Sequence, residues 1–294
     1  MVISLLSQFE GGLLGSAIAV ELPEITPNFA PWEKIQDGAI ATLLQTGHLK
    51  TQDWLQQIEK RDRTLLECQQ TGTSSEIAAI ALPIVLFFHE IPSQLNVELS
   101  NVASLWLHPE EPMEEILLWG DALSFVLQKD FNSSQLLSHL ISRYPTRESL
   151  LNVLQNAIAR GFSLQQTARM LGDRPLPQKE IALALYCFSF TPEDFSLCWQ
   201  RSLQLSPTLP LTAILTGAIA GLYNSSLGFP PSWRVSPQRQ QILIKAVSLF
   251  SAWSGCYLRE GGDPQPQIVV GAAGTIQPRE GFATISQRES RTSS

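Results

Sequence analysis

Four acids crowd the stretch HPEEPMEEI: Glu110, Glu111, Glu114 and Glu115. Paired carboxylates serve glycosidic hydrolysis as acid and base, and serve hard divalent cations as oxygen ligands. Acids around a proline ahead of an apolar run have a simpler explanation, because the first turn of a helix favours negative charge against its dipole. Glu193 and Asp194 read the same way, and Glu21 with Glu24 flanks Pro23 in a stretch that reads as loop. His48, His89, His108 and His139 are dispersed. None has a second histidine or cysteine three or four residues on, the spacing a helix-borne zinc site requires. The sequence contains no Gly-x-Ser-x-Gly elbow, no P-loop and no Gly-x-Gly-x-x-Gly after a strand, which removes the commonest hydrolase and nucleotide-binding classes.

The stretch GTSSEIAAIALP, from Gly72 to Pro83, offers a different chemistry. Thr73, Ser74, Ser75 and Glu76 stand at a helix start, where hydroxyls and free backbone N–H groups suit a phosphate or pyrophosphate. The same residues spell a capping box, Thr73 with Glu76, and a cap needs no ligand.

These residues must be carried by helices. Apolar positions recur at helical spacing, as in Leu150, Leu151, Leu154 and Ile158, and strand signals are nearly absent. Thr191-Pro192-Glu193-Asp194 predicts an N-cap, a proline in the first turn and two acids behind it. Ser163 through Gln166 predicts a second capping box. Breakers at Gly47-His48, Gly161, Gly172 through Pro177 and Ser206-Pro207 divide the chain into segments that fit a compact multi-helix bundle, all-α. One helical domain is expected over residues 1–260. After about Glu260 the composition turns to glycine, proline, glutamine and serine, which predicts a flexible tail over 261–294, with Ile268, Val269, Val270 and Phe282 as its apolar spots.

Charged residues make up only 16% of the 294, against roughly 25% in a typical globular chain, so a sizeable core is expected. A net charge of −7 argues against nucleic acid, whose phosphates call for clustered lysine and arginine. Cys68, Cys187, Cys198 and Cys256 are far apart and read as reduced thiols of a cytoplasmic protein. The apolar N-terminus has no basic residue ahead of it and carries Glu10, unlike a signal peptide. The uncharged run from Ile77 to Phe88 is too short for a bilayer and contains Pro83, so no membrane partner is expected.

The barest helix lies in TGAIAGLYNSSLGFPPSW, Thr216 to Trp233. Gly217 and Gly221 clear one stripe of side chains, which lets another backbone come close, and Gly228, Pro230 and Pro231 then turn the chain towards an indole.

Three motifs in fixed order resemble the ADP-ribosylglycohydrolase family, all-α hydrolases that release ADP-ribose from modified side chains with two Mg²⁺ or Mn²⁺ ions. GGLLGSAIAVELP, Gly11 to Pro23, is similar to the family's opening G-x-L-L-G-x-A-x-G-D-A-L-G. GTSSEIAAIALP stands in the place of its G-N-G-x-x-M-R-x-x-P. Gly217, Ala218, Ile219, Ala220, Gly221, Gly228, Pro230 and Trp233 are similar to its A-x-x-x-G-A-I-x-G and later I-P-x-x-W turn. The resemblance implies that this is the family's central helix, with its N-terminal end facing the cleft.

The same alignment sets Thr208 and Pro210 where two metal-binding aspartates stand in the family, and Ala19-Val20 where it has Gly-Asp. Its early Thr-Asp-Asp-Thr falls near Trp32 to Gln36, where Glu33 is the one acid and Lys34 would repel a cation. Hard divalent ions need several oxygen ligands, so this departure implies no metal ligands, no cofactor and no catalytic residues. The implied protein is an inactive homologue that binds either an ADP-ribose-like molecule, at Thr73, Ser74, Ser75, Glu76 and Thr208, or a protein partner. The alternative is a hydrolase with a relocated site built from Glu21, Glu24, Glu33 or Asp37. A third reading docks a partner through the tail.

Overall fold

The computed structural model describes residues 4–21, 26–205, 208–234 and 236–255. Glu24, Ser206, Pro207, Cys256 and the tail expected over 261–294 lie outside them. The described residues form an all-helical bundle with no strand. Its elements are α1 (Leu5–Val20), α2 (Thr26–Thr46), α3 (Thr51–Arg61), α4 (Ser74–Ile80), α5 (Leu82–Phe88), α6 (Pro92–Trp106) and α7 (Glu114–Val126), followed by α8 (Leu136–Arg143), α9 (Glu148–Ala159), α10 (Leu164–Met170), α11 (Leu176–Phe190), α12 (Phe195–Leu203), α13 (Leu211–Asn224) and α14 (Pro237–Ser254). No helix among the described residues is long and apolar enough to cross a membrane.

α13 is the axis, packed by α1, α11, α12, α4 and α7. What meets its bare stripe is a second one. A Cβ placed on Gly15 would lie 2.1 Å from the Gly217 carbonyl oxygen, and one on Gly11 would lie 2.2 Å from that of Gly221. The pairing runs 11 with 221 and 15 with 217, so α1 and α13 are antiparallel and in backbone contact. Two glycine pairs thus bring two helices closer than any side chain permits.

α13 ends at Ser225, whose φ of 59° turns the chain out of the helix. The following turn is pinned twice. Ser226 donates to the Glu10 carboxylate at 2.6 Å, and Phe229 and Trp233 pack on Phe195 and Trp199 of α12, with ring centroids 3.9 and 5.0 Å apart. The sequence from Gly228 to Trp233 is therefore an aromatic clamp on the far end of the central helix.

The uncharged run from Ile77 to Phe88 is buried along its length, and Pro83 divides it into α4 and α5. Both expected capping boxes form, at Thr73–Glu76 and Ser163–Gln166. The cap ahead of α12 differs from expectation. Asp194, not Thr191, takes that position and accepts from the Leu197 amide at 3.0 Å, leaving Thr191 to Glu193 as a turn outside the helix. An aspartate carboxylate is at least as good a cap as threonine, and here it stands three residues nearer the apolar face. Glu193 is thus not a first-turn charge.

Candidate functional site: the N-terminal ends of α4 and α13

The residues singled out at the start of α4 come together, but each faces its own chain. Glu76 accepts from the backbone N–H and the hydroxyl of Thr73 at 2.8 and 2.9 Å. Ser74 gives both its backbone N–H and its hydroxyl to Glu111, at 3.1 and 2.8 Å. Ser75, fully buried, donates its hydroxyl to Glu180 at 2.6 Å. The donors that suit a phosphate are thus already held by three carboxylates from α4, α11 and the loop ahead of α7. An anion approaching this end meets negative charge.

Thr208 lies apart from that cluster in its bonding. It is exposed, and its hydroxyl donates back to the Leu205 carbonyl at 3.1 Å. Pro210 occupies the N-cap of α13 with no side-chain bond, since its ring carries no acceptor. The start of the helix is capped from elsewhere: the Leu211 N–H donates to the second oxygen of Glu180 at 3.1 Å. Leu209 and Leu211 are buried on either side of Pro210.

Glu180 is therefore the centre of this site. It is 5% exposed and joins the starts of α4 and α13 to the first turns of α11. Its carboxyl is pushed up to about 7, chiefly by burial and in lesser part by the nearby Glu76, against the bonds from Ser75 and Leu211, which act in the other direction. Two positions earlier, Gln178 donates to Glu115 of α7 at 2.8 Å, and Arg147 reaches the same carboxylate at 2.9 Å. Glu115 is buried, and burial raises its carboxyl too. The acids of HPEEPMEEI consequently divide into roles. Glu114 and Glu115 do stand in the first turn of α7, whereas Glu111, in the loop ahead of it, holds the start of α4 through Ser74.

Sequence reasoning missed Glu180, Gln178 and the cross-chain role of Glu111. A signal existed for Glu180: in LPQKEIALALYCFSF it is in helical register with Leu183, Ala184 and Cys187, on a face that is otherwise apolar. A carboxylate on a buried stripe must find donors. Which donors it finds is a tertiary fact, since Ser75 is 105 residues away.

Of the acids of the alternative site, Glu21 stands at the end of α1 and Glu33 and Asp37 lie on α2, and bases of α14 hold two of them. Glu21 binds Arg239 through both oxygens, at 3.1 and 2.7 Å, and Asp37 binds Lys245 at 2.6 Å. Glu33, raised mainly by burial and then by Asp37, borders with Asp37, Gln36 and Lys245 a cavity of about 30 Å³. That volume holds about two waters. Lys34 is drawn away to Asp62 at 3.1 Å.

A pair of Mg²⁺ or Mn²⁺ ions does not fit these residues. Among the described residues no three histidine, cysteine, aspartate or glutamate side chains are grouped to hold a metal, and positions 208 and 210 offer a hydroxyl and a pyrrolidine ring. No protein-family model matches the chain, and no curated protein matches it.

Proposed function

We propose that this chain is a catalytically inactive, ADP-ribosylglycohydrolase-like protein that acts by binding, with a protein as its partner. The observation that carries this reading is the seat of Glu180. In the resembled hydrolases the start of the central helix faces two metal ions. Here that start is capped by a carboxylate of the chain's own α11, and positions 208 and 210 carry no acid. With no ion to activate water, the hydrolytic step has no nucleophile, and a buried carboxyl facing a serine and a backbone amide has no path to a glycosidic bond.

The same arrangement weighs against an ADP-ribose-like ligand at Thr73, Ser74, Ser75 and Glu76. A pyrophosphate there would have to displace Glu111 from Ser74 and Glu180 from Ser75. The relocated hydrolase is weakened by Lys245, which holds the Asp37 carboxylate at 2.6 Å beside a cavity too small for a sugar.

Calorimetric titration with ADP-ribose, with and without Mg²⁺ and Mn²⁺, tests the reading, together with incubation of ADP-ribosylated arginine. Neither metal-dependent heat nor release of ADP-ribose is expected. Metal-dependent cleavage that persists when Thr208 is replaced would overturn the inactive reading, and metal-independent binding would restore the small molecule in place of the protein partner.

A further inference from the structure

One carboxyl ties three helices. Glu180 on α11 accepts from Ser75 at the start of α4 and from the Leu211 amide at the start of α13, contacts that span 105 and 31 residues of chain. The charges around it are few. α4 presents Glu76, another acid. The first three turns of α13 have no ionisable side chain. Arg201 of α12 sits at the other end of α11, against the Cys187 carbonyl and the Thr191 hydroxyl. Glu115 of α7 is taken by Gln178 and Arg147, and Glu148 of α9 and Arg169 of α10 are exposed. Lys179, next to it on α11, is half-buried, and no basic group on the other elements answers Glu180.

We infer that Glu180 is a proton-operated clasp: with its proton it holds the starts of α4 and α13 against α11, and without it a buried negative charge beside Glu76 lets those two starts open. In the protonated form the bond with Ser75 reverses: the hydroxyl of the carboxyl donates to the Ser75 oxygen, the Ser75 proton turns to the Thr73 oxygen 3.4 Å away, and the carbonyl accepts the Leu211 N–H. Loss of the proton to water leaves a charge that burial penalises and no cation offsets. The carboxyl sits raised to about 7 in the folded chain against an ordinary 4.5, so the clasp is fully closed below 4.5 and weakens as the pH rises through about 7. The inference shares with the proposed function the view that this end of the bundle is closed from within. Its test needs neither ADP-ribose nor a partner, so either can fail alone.

The test is hydrogen exchange of the full chain from pH 5 to pH 8.5, read as protection factors. The Leu211 amide should lose protection about tenfold per pH unit and level off above about 7, while the Thr167 amide, bonded to the Ser163 carbonyl in the first turn of α10, holds steady. In Glu180→Gln the side-chain amide donates to Ser75 and its oxygen accepts from Leu211, so protection at Leu211 should be independent of pH. A wild-type profile at Leu211 without slope, or the same slope in Glu180→Gln, overturns the clasp. Should that variant not fold, Glu76→Gln keeps the cap and removes the repulsion. It should end the loss of protection at lower pH, and an unmoved profile overturns the proposal equally.

Discussion

At the scale of single residues, the site is held by hydrogen bonds whose partners are buried, and removing one partner costs more than the bond itself. Glu180→Ala strands the Ser75 hydroxyl and the Leu211 N–H together, and at about 1–3 kcal/mol for each orphaned group the loss should be about 3 kcal/mol at pH 5 in urea unfolding. Ser75→Ala strands one oxygen of the buried Glu180 and should cost about 1–3 kcal/mol there. Glu180→Gln behaves oppositely with pH. Because the folded carboxyl lies near about 7 and the unfolded one near 4.5, wild-type stability declines between those values. Gln has no charge to lose, so it should match the wild type at pH 5 and exceed it by about 2–3 kcal/mol at pH 8. Equal stabilities at both pH values would refute the assignment of a raised carboxyl.

At the scale of elements, the α1–α13 contact sets the geometry of the bundle. Gly15→Ala puts a methyl 2.1 Å from a backbone carbonyl that cannot step aside, so the two helices must part, and we expect a loss of about 3 kcal/mol with a broadened melt by circular dichroism. Gly161→Ala is the contrasting case. Nothing lies within 4 Å of its Cβ, and the cost comes from a φ of 64° alone, about 1 kcal/mol. Much at this scale was legible in the sequence. The capping boxes at Thr73 and Ser163, the break at Pro83 and the bare stripe of α13 are local patterns, and local patterns survive folding. That the stripe of α13 meets Gly11 and Gly15 of α1 was not legible, because a small-residue spacing announces a close approach without naming the partner. The α12 cap was misread for a related reason: Thr191 and Asp194 are both good caps, and the choice fell to where the apolar face of Phe195 and Cys198 had to sit. Glu180 was legible as an acid on an apolar face but not as a site, because its meaning lies in Ser75 and Leu211, and only the fold brings them within 3.1 Å.

At the scale of the whole molecule, two carboxylates, Glu115 and Glu180, are buried where helix starts meet. Ligands that bind the folded state raise its melting temperature by mass action. An excess of Mg²⁺ or Mn²⁺ should therefore leave the thermal midpoint unmoved, and a rise of several degrees would mean that a metal site exists after all. The antiparallel glycine contact has one more consequence, in time. The first described helix is completed by one near the end of the described residues: the bond from Ser226 to Glu10 joins residues 216 apart. At about 5–20 residues per second, translation keeps α1 waiting roughly 10–40 s for its mate, its glycine stripe bare throughout. That contact cannot form before α13 has been made, and a nascent-chain binding factor has that interval in which to act.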